Sequence, residues 1–273
     1  SVGISFSSCF VPSPGGSNAS AVTTLNGNVY AVGVTAWSHE GDNPLAKASL
    51  WKYDNSLNLI WRRKNTTLTG AAQYLGVTSM GNAIYAVGQT SGSAGSEQYV
   101  VDKYDEAGNL IWTKTFGGAN TDILTGAIAV GNRVFVVGYT RSQGAGGADA
   151  VILEIDPATG DTLSTTLFGG AQDDMANAVA TDEANLYIVG ESRSFASAEG
   201  NAVGQNDVLL LRYALNVPFA AFNPKVEITL GPLANDDEFE IKASFTLETS
   251  SDGIAPLTDT VTIQVGSFSA TIP

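Results

Sequence analysis

Four segments of this chain are variants of one another. They read NVYAVGVT at 28–35, AIYAVGQT at 83–90, RVFVVGYT at 133–140 and NLYIVGES at 185–192. Their glycines, Gly33, Gly88, Gly138 and Gly190, recur roughly every 50 residues. A period of that length marks an array in which one supersecondary unit cannot bury its apolar face alone and stacks on its neighbours instead. Whatever the chain folds into must therefore be built from about four copies of one unit.

The unit can be read strand by strand. Each glycine-bearing segment alternates a large aromatic with small residues, as a half-buried strand does. A second element follows in every copy: ASLWKYD (48–54), YVVDKYD (99–105), AVILEID (150–156) and DVLLLRY (207–213). A third follows in three copies: NLIWRRK (58–64), NLIWTKTFGG (109–118) and DTLSTTLFGG (161–170). Between second and third elements stand DNSLN, DEAGN and DPATGD, whose Asp at the start and Gly or Asn near the end are hairpin chemistry. Ahead of each glycine-bearing segment come small residues (SAVTTL, LGVTSM, GAIAV, NAVAT), suited to the crowded innermost strand of a blade. The order A (small), B (Y-x-V-G), C (K-Y-D) and D (N-L-I-W) predicts an all-β chain, a β-propeller of four four-stranded blades over 1–216. With its VYAVG-type strand, the Asp149-Ala150 start of a third strand, the GNLIW strand and the FGG…D corner, the chain resembles the bacterial β-propeller repeat family called the SBBP repeat. The resemblance spans about 17–213. It implies the propeller fold and a place among surface or secreted proteins.

Past Tyr213 the pattern stops. Pro218, Pro224 and Pro232 punctuate the change, and three alternating strands follow at 225–230, 238–248 and 259–273. They predict a small antiparallel β-sandwich-like unit over 217–273, too small to close comfortably and so in need of cover for its edge.

Composition narrows the partners. Thirty glycines and the absence of any amphipathic helical pattern fit short strands and tight turns, and no apolar run reaches the roughly 20 residues of a membrane helix. A formal net charge of −14 excludes the basic stripe that nucleic acid rewards and disfavours an anionic membrane surface. The single Cys9 has no partner for an internal disulfide and reads as a small apolar side chain. Ser1 in place of an initiator Met reads as a processed or trimmed start. Asn18 and Asn65 head glycosylation tripeptides.

Three groups of residues are candidates for chemistry. The corners FGGANTD and FGGAQDD bring Asp122 and Asp174, with Asp173, towards one end of the propeller. They either ring a divalent cation such as calcium or cap backbone amides. Trp37, His39, Glu40 and Asp42 fall in the longest B–C loop, where an aromatic stacks on a sugar or docks a partner, giving a candidate ligand face for carbohydrate. No nucleophile elbow, phosphate loop or cofactor fingerprint is present.

The third group is the N-terminal strand. Blade four lacks a D strand, and with Tyr30 set against Tyr187 the segment 4–11 falls without a gap on 161–168, a D strand. Ile4, Phe6, Cys9, Phe10 and Val11 would then complete blade four, either in their own chain as a clasp or in a neighbour by strand exchange. The expectation is a non-enzymatic extracellular or cell-surface structural or binding protein that self-associates. The contrasting expectation is a secreted polysaccharide-active enzyme or carbohydrate-binding module that uses the end carrying the loops.

Overall fold

A computed structural model describes residues 16–35, 46–91, 96–195, 204–215, 219–229, 238–247, 261–265 and 268–272. All regular elements among them are strands. Blade one comprises β1 (Ser17–Leu25), β2 (Asn28–Thr35), β3 (Lys47–Tyr53) and β4 (Leu59–Lys64). Blade two comprises β5 (Ala72–Met80), β6 (Ala83–Ser91), β7 (Glu97–Asp105) and β8 (Leu110–Phe116). Blade three comprises β9 (Asp122–Val130), β10 (Arg133–Thr140), β11 (Asp149–Ile155) and β12 (Thr162–Phe168). Blade four comprises β13 (Asp174–Thr181), β14 (Asn185–Ser192) and β15 (Asp207–Ala214). Each blade is an antiparallel meander in chain order, with four strands in the first three and three strands, β13-β14-β15, in the fourth.

The recurring glycine is dictated by a bulge. In every blade strand A carries one extra residue opposite the glycine of strand B, at Ala19/Ala21, Tyr74/Gly76, Leu124/Gly126 and Ala176/Ala178. The bulge pushes a carbonyl oxygen to where a side chain would start. A Cβ on Gly33, Gly88, Gly138 or Gly190 would overlap the carbonyl oxygen of Asn18, Gln73, Ile123 or Met175.

The C–D turns show where one copy departs from the repeat. Gly108 and Gly160 turn with φ of +81° and +78°, whereas Leu57 holds the corresponding turn of blade one at +62°. A left-handed leucine costs about 1 kcal/mol that glycine does not. Leu57→Gly is therefore expected to raise stability by up to about 1 kcal/mol, read as a higher urea midpoint at unchanged slope.

Successive blades pack strand A of one onto strands B and C of the one before: β5 lies on β2 and β3, β9 on β6 and β7, and β13 on β10 and β11. Tyr30, Val32, Ala48 and Leu50 of blade one share a buried cluster with Tyr74, Val77 and Ile84 of blade two. Tyr85, Val87 and Val101 of blade two share another with Leu124, Val134 and Val151 of blade three. The distinctive residues of the repeat pair within a blade and then meet the next blade across these junctions. Trp61 packs edge-on to Tyr30 at 6.0 Å and Trp112 against Tyr85 at 6.1 Å. Gly108 and Gly160 stand so close over Trp61 and Trp112 that a Cβ would lie 2.9 Å from the indole. Lys52 Nζ donates to the carbonyl of Glu106 at 3.2 Å and Lys103 Nζ to that of Pro157 at 2.7 Å. Each lysine thus latches its blade to the C–D turn of the next.

A second compact unit holds β16 (Phe219–Thr229), β17 (Glu238–Leu247), β18 (Val261–Val265) and β19 (Phe268–Ile272). β16 pairs with β17 and β18 with β19, both antiparallel. Two details differ from the sequence expectation. The run 259–273 holds two strands, β18 and β19, rather than one. Pro224 lies within a strand rather than before it, which a two-stranded sheet tolerates because both strands are edges.

Candidate functional site

The D–A corners sit beside the B–C loops at one end of the blades, as hydrogen bonds between them show. The Asn120 amide donates to Ser142 Oγ at 3.0 Å, and Asn120 Nδ2 donates to the carbonyl of Arg141 at 3.1 Å. Asp122 is fully buried beneath this corner. Its Oδ1 accepts from Thr140 Oγ1, and its Oδ2 accepts from Gly118 N at 2.7 Å and Ser142 Oγ at 2.8 Å. The next corner repeats the arrangement. Asp174 Oδ1 accepts from Ser192 Oγ, and Oδ2 accepts from Gly170 N at 2.8 Å and Ser194 Oγ at 2.5 Å. Burial opposes ionisation of Asp174, yet the Ser192, Ser194 and Gly170 donors hold its carboxyl below the usual range.

These contacts decide between the two roles open to the corner carboxylates. Asp122 and Asp174 spend their oxygens on the donors of their own corners, and Asp173 pairs with Arg141 at 3.0 Å while accepting from Ala148 N at 2.8 Å. Its carboxyl is lowered first by Arg141 and then by the Ala148 amide. Among the described residues no three His, Cys, Asp or Glu side chains form a group that could hold a metal ion. The arrangement caps backbone and locks loop to corner. Blade two, which has Ala72 in the Asp position, also has Gly92 in place of the serine.

Beside the corner of blades two and three lies a cleft of about 220 Å³ lined by Tyr99, Phe116, Asp122, Thr140, Gln143 and Leu167 among others. Trp37, His39, Glu40 and Asp42, the candidate ligand face, lie outside the described residues, as do Ile4, Phe6, Cys9, Phe10 and Val11. Asn18 is exposed on β1, whereas Asn65 is buried and donates through Nδ2 to Asp102, so the folded chain withholds that tripeptide.

Asp102 was not among the sequence candidates. It is fully buried between blades one and two, where Oδ2 accepts from Tyr74 Oη and Asn65 Nδ2, and Tyr74 Oη is 2.7 Å from Tyr104 Oη. Its Oδ1 has no hydrogen-bond partner among the described residues. Burial raises its carboxyl to about 6, against the pull of Tyr74 and Asn65. The only sequence signal was a charge interrupting the apolar run of YVVDKYD. Because the folded value exceeds the unfolded one, the folded state binds the proton more tightly. The resulting stability is complete below about pH 4 and is lost as pH rises through 6. Asp102→Asn is expected to remove this component, so the difference in melting temperature between wild type and variant should change between pH 5 and pH 7.5 by several degrees.

The last feature of this kind is the end of blade four. β15 closes a three-stranded sheet where the other blades have a fourth strand, so its outer edge carries no partner among the described residues.

No protein-family model and no curated protein matches the chain. Solved structures similar to it include the WD40 domain of Neurospora crassa Pan2, at 16% identity over 75% of this chain and 67% of that one, with a TM-score of 0.40. Another is the β-propeller domain of the Trilobed protease from Pyrococcus furiosus, with an open velcro topology, at 10% identity over 91% and 73% with a TM-score of 0.44. A third is an exo-1,5-α-L-arabinanase from a bovine ruminal metagenomic library, at 14% identity over 70% and 72% with a TM-score of 0.37. Among the described residues no helix is long and apolar enough to cross a membrane.

Proposed function

We propose that the chain is a non-enzymatic structural module of the cell exterior whose copies join by strand exchange. One observation carries the reading: among the described residues blade four ends at β15, while blades one to three each continue to a fourth strand. The segment 4–11 aligns without a gap on 161–168, which contains β12, the D strand of blade three. An unpaired edge is a template for an incoming strand, and backbone pairing of that kind builds durable assemblies. The net charge of −14 and the likeness to SBBP-type repeats are in keeping with an exterior location.

Light scattering on the full chain and on a chain beginning at residue 12 tests this. The full chain is expected at higher multiples of 28.3 kDa than the shortened one, which loses every association made through residues 4–11. A monomeric full chain that melts lower when shortened would make the segment an intrachain clasp and overturn exchange. Turnover of a polysaccharide that depends on a carboxylate at the loop-bearing end would overturn the non-enzymatic reading.

A further inference from the structure

The two ends of the blade series expose the two halves of a junction that the chain makes three times internally. Within the series, strands B and C of a blade are covered by strand A of the next. The residues so covered occupy three repeat positions. At the first stand Ala48, Tyr99 and Ala150; at the second Leu50, Val101 and Ile152; at the third Val32, Val87 and Val137, all between 0 and 6% exposed. The same positions of blade four are Val208, Leu210 and Val189, exposed by 85%, 70% and 45%. Three apolar side chains on one face, at positions buried in every other copy, form a surface built to be covered.

Its complement is strand A of a blade, and β1 is the exposed copy. β1 faces solvent along most of its length, and its Val22 is 63% exposed where the equivalent Val77 of β5 is buried. The outward residues Ser17, Ala19 and Val22 of β1 correspond to Asp174, Ala176 and Val179 of β13, which cover blade three. Alanine and valine at those places therefore suffice to cover a B–C face. The polar latch is also in place. Arg212 holds the position of Lys52 and Lys103, is exposed, and would reach the C–D turn at Asn55, the counterpart of Glu106 and Pro157.

We infer that β14 and β15 of one copy are covered by β1 of a second copy, a head-to-tail contact that continues the internal blade junction between chains. Two copies joined at both ends make eight blades, the upper end of the usual range, and so close without leaving a face open. This contact uses the face of blade four, not its edge, and does not depend on strand exchange by residues 4–11.

The test is thiol crosslinking of the full chain carrying Cys9→Ser, Val22→Cys and Leu210→Cys, with a short bismaleimide. The equivalents of the two new cysteines, Val77 and Leu50, share one buried cluster, and both sites are exposed, so the fold tolerates them. The expected product is a covalent dimer, doubly linked. Mixing the Val22→Cys chain with the Leu210→Cys chain should give a singly linked dimer, while neither alone crosslinks. Adding Val208→Asp should lower the yield about tenfold, because a carboxylate would be buried without a partner. A link within one chain would mean that β1 covers its own blade four. A link by Leu210→Cys alone would mean that two blade-four faces meet, and no link would mean that the face stays open; each of these overturns the inference. Shortening the chain to residue 12 leaves the expected crosslink intact, so a failure of strand exchange is read separately.

Discussion

Alanine at Gly138 is expected to cost the propeller unit at least about 3 kcal/mol, more than any comparably small change on its surface. The added methyl group would have to occupy the space of the Ile123 carbonyl oxygen and approach the Leu124 Cα within 2.8 Å. Neither is a flexible side-chain end that can swing away. Relief requires the bulge of β9 to flatten, which shifts the register of a strand that packs on β6 and β7 of blade two. Guanidinium unfolding followed by circular dichroism reads the loss directly. Gly131→Ala is the control: its φ is +58° but nothing lies within 4 Å of its Cβ, so the expected cost is only about 1 kcal/mol. Equal effects at the two positions would refute the steric account of the recurring glycine.

Removal of the corner carboxylate is the second large effect. Asp122→Ala leaves Thr140 Oγ1, Gly118 N and Ser142 Oγ without their acceptor, and Asp122 and Thr140 are themselves buried. The expected loss is about 3 kcal/mol, and Asp174→Ala should match it because the three donors recur at Ser192, Gly170 and Ser194. The two sites belong to different junctions, so the double variant should lose close to the sum. A loss below about 1 kcal/mol at either site, measured by denaturant unfolding, would mean that the corner does not depend on its aspartate.

The repeat made most of the first unit legible before any coordinates. Strand identity, blade order and the hairpin turns follow from alternation, from Asp at turn starts and from a glycine that recurs at one place in each copy. The cause of that glycine was not legible, because a bulge in the partner strand leaves no signature in the strand that accommodates it. The corner aspartates were visible as a motif, but their role lay in hydroxyls about 20 residues away. Thr140 and Ser142 look like ordinary loop residues until the chain brings them to Asp122. Asp102 carries no signal of its own because an acid within YVVDKYD resembles a solvated strand position, and its burial depends on Tyr74 and Asn65 from elsewhere in the chain. In the second unit the alternation changes phase at Gly266-Ser267, from Val261, Ile263 and Val265 to Phe268, Ala270 and Ile272, and this shift is the signal of the division into β18 and β19 that a single-strand reading passes over. The contrast between Leu210 and its buried equivalents became visible only with exposure known, since sequence records the repeat but not which copy lacks a neighbour.

The central claim is that the end of blade four is an assembly surface. Amide hydrogen exchange of β15, residues Asp207–Ala214, measured on the full chain at two concentrations differing about a hundredfold, tests it most directly. Protection of β15 should rise with concentration while the already paired strands β6 and β10 stay constant, because β15 gains a strand at its edge or a blade on its face and β6 and β10 gain neither. Protection of β15 that is identical at both concentrations would contradict the claim.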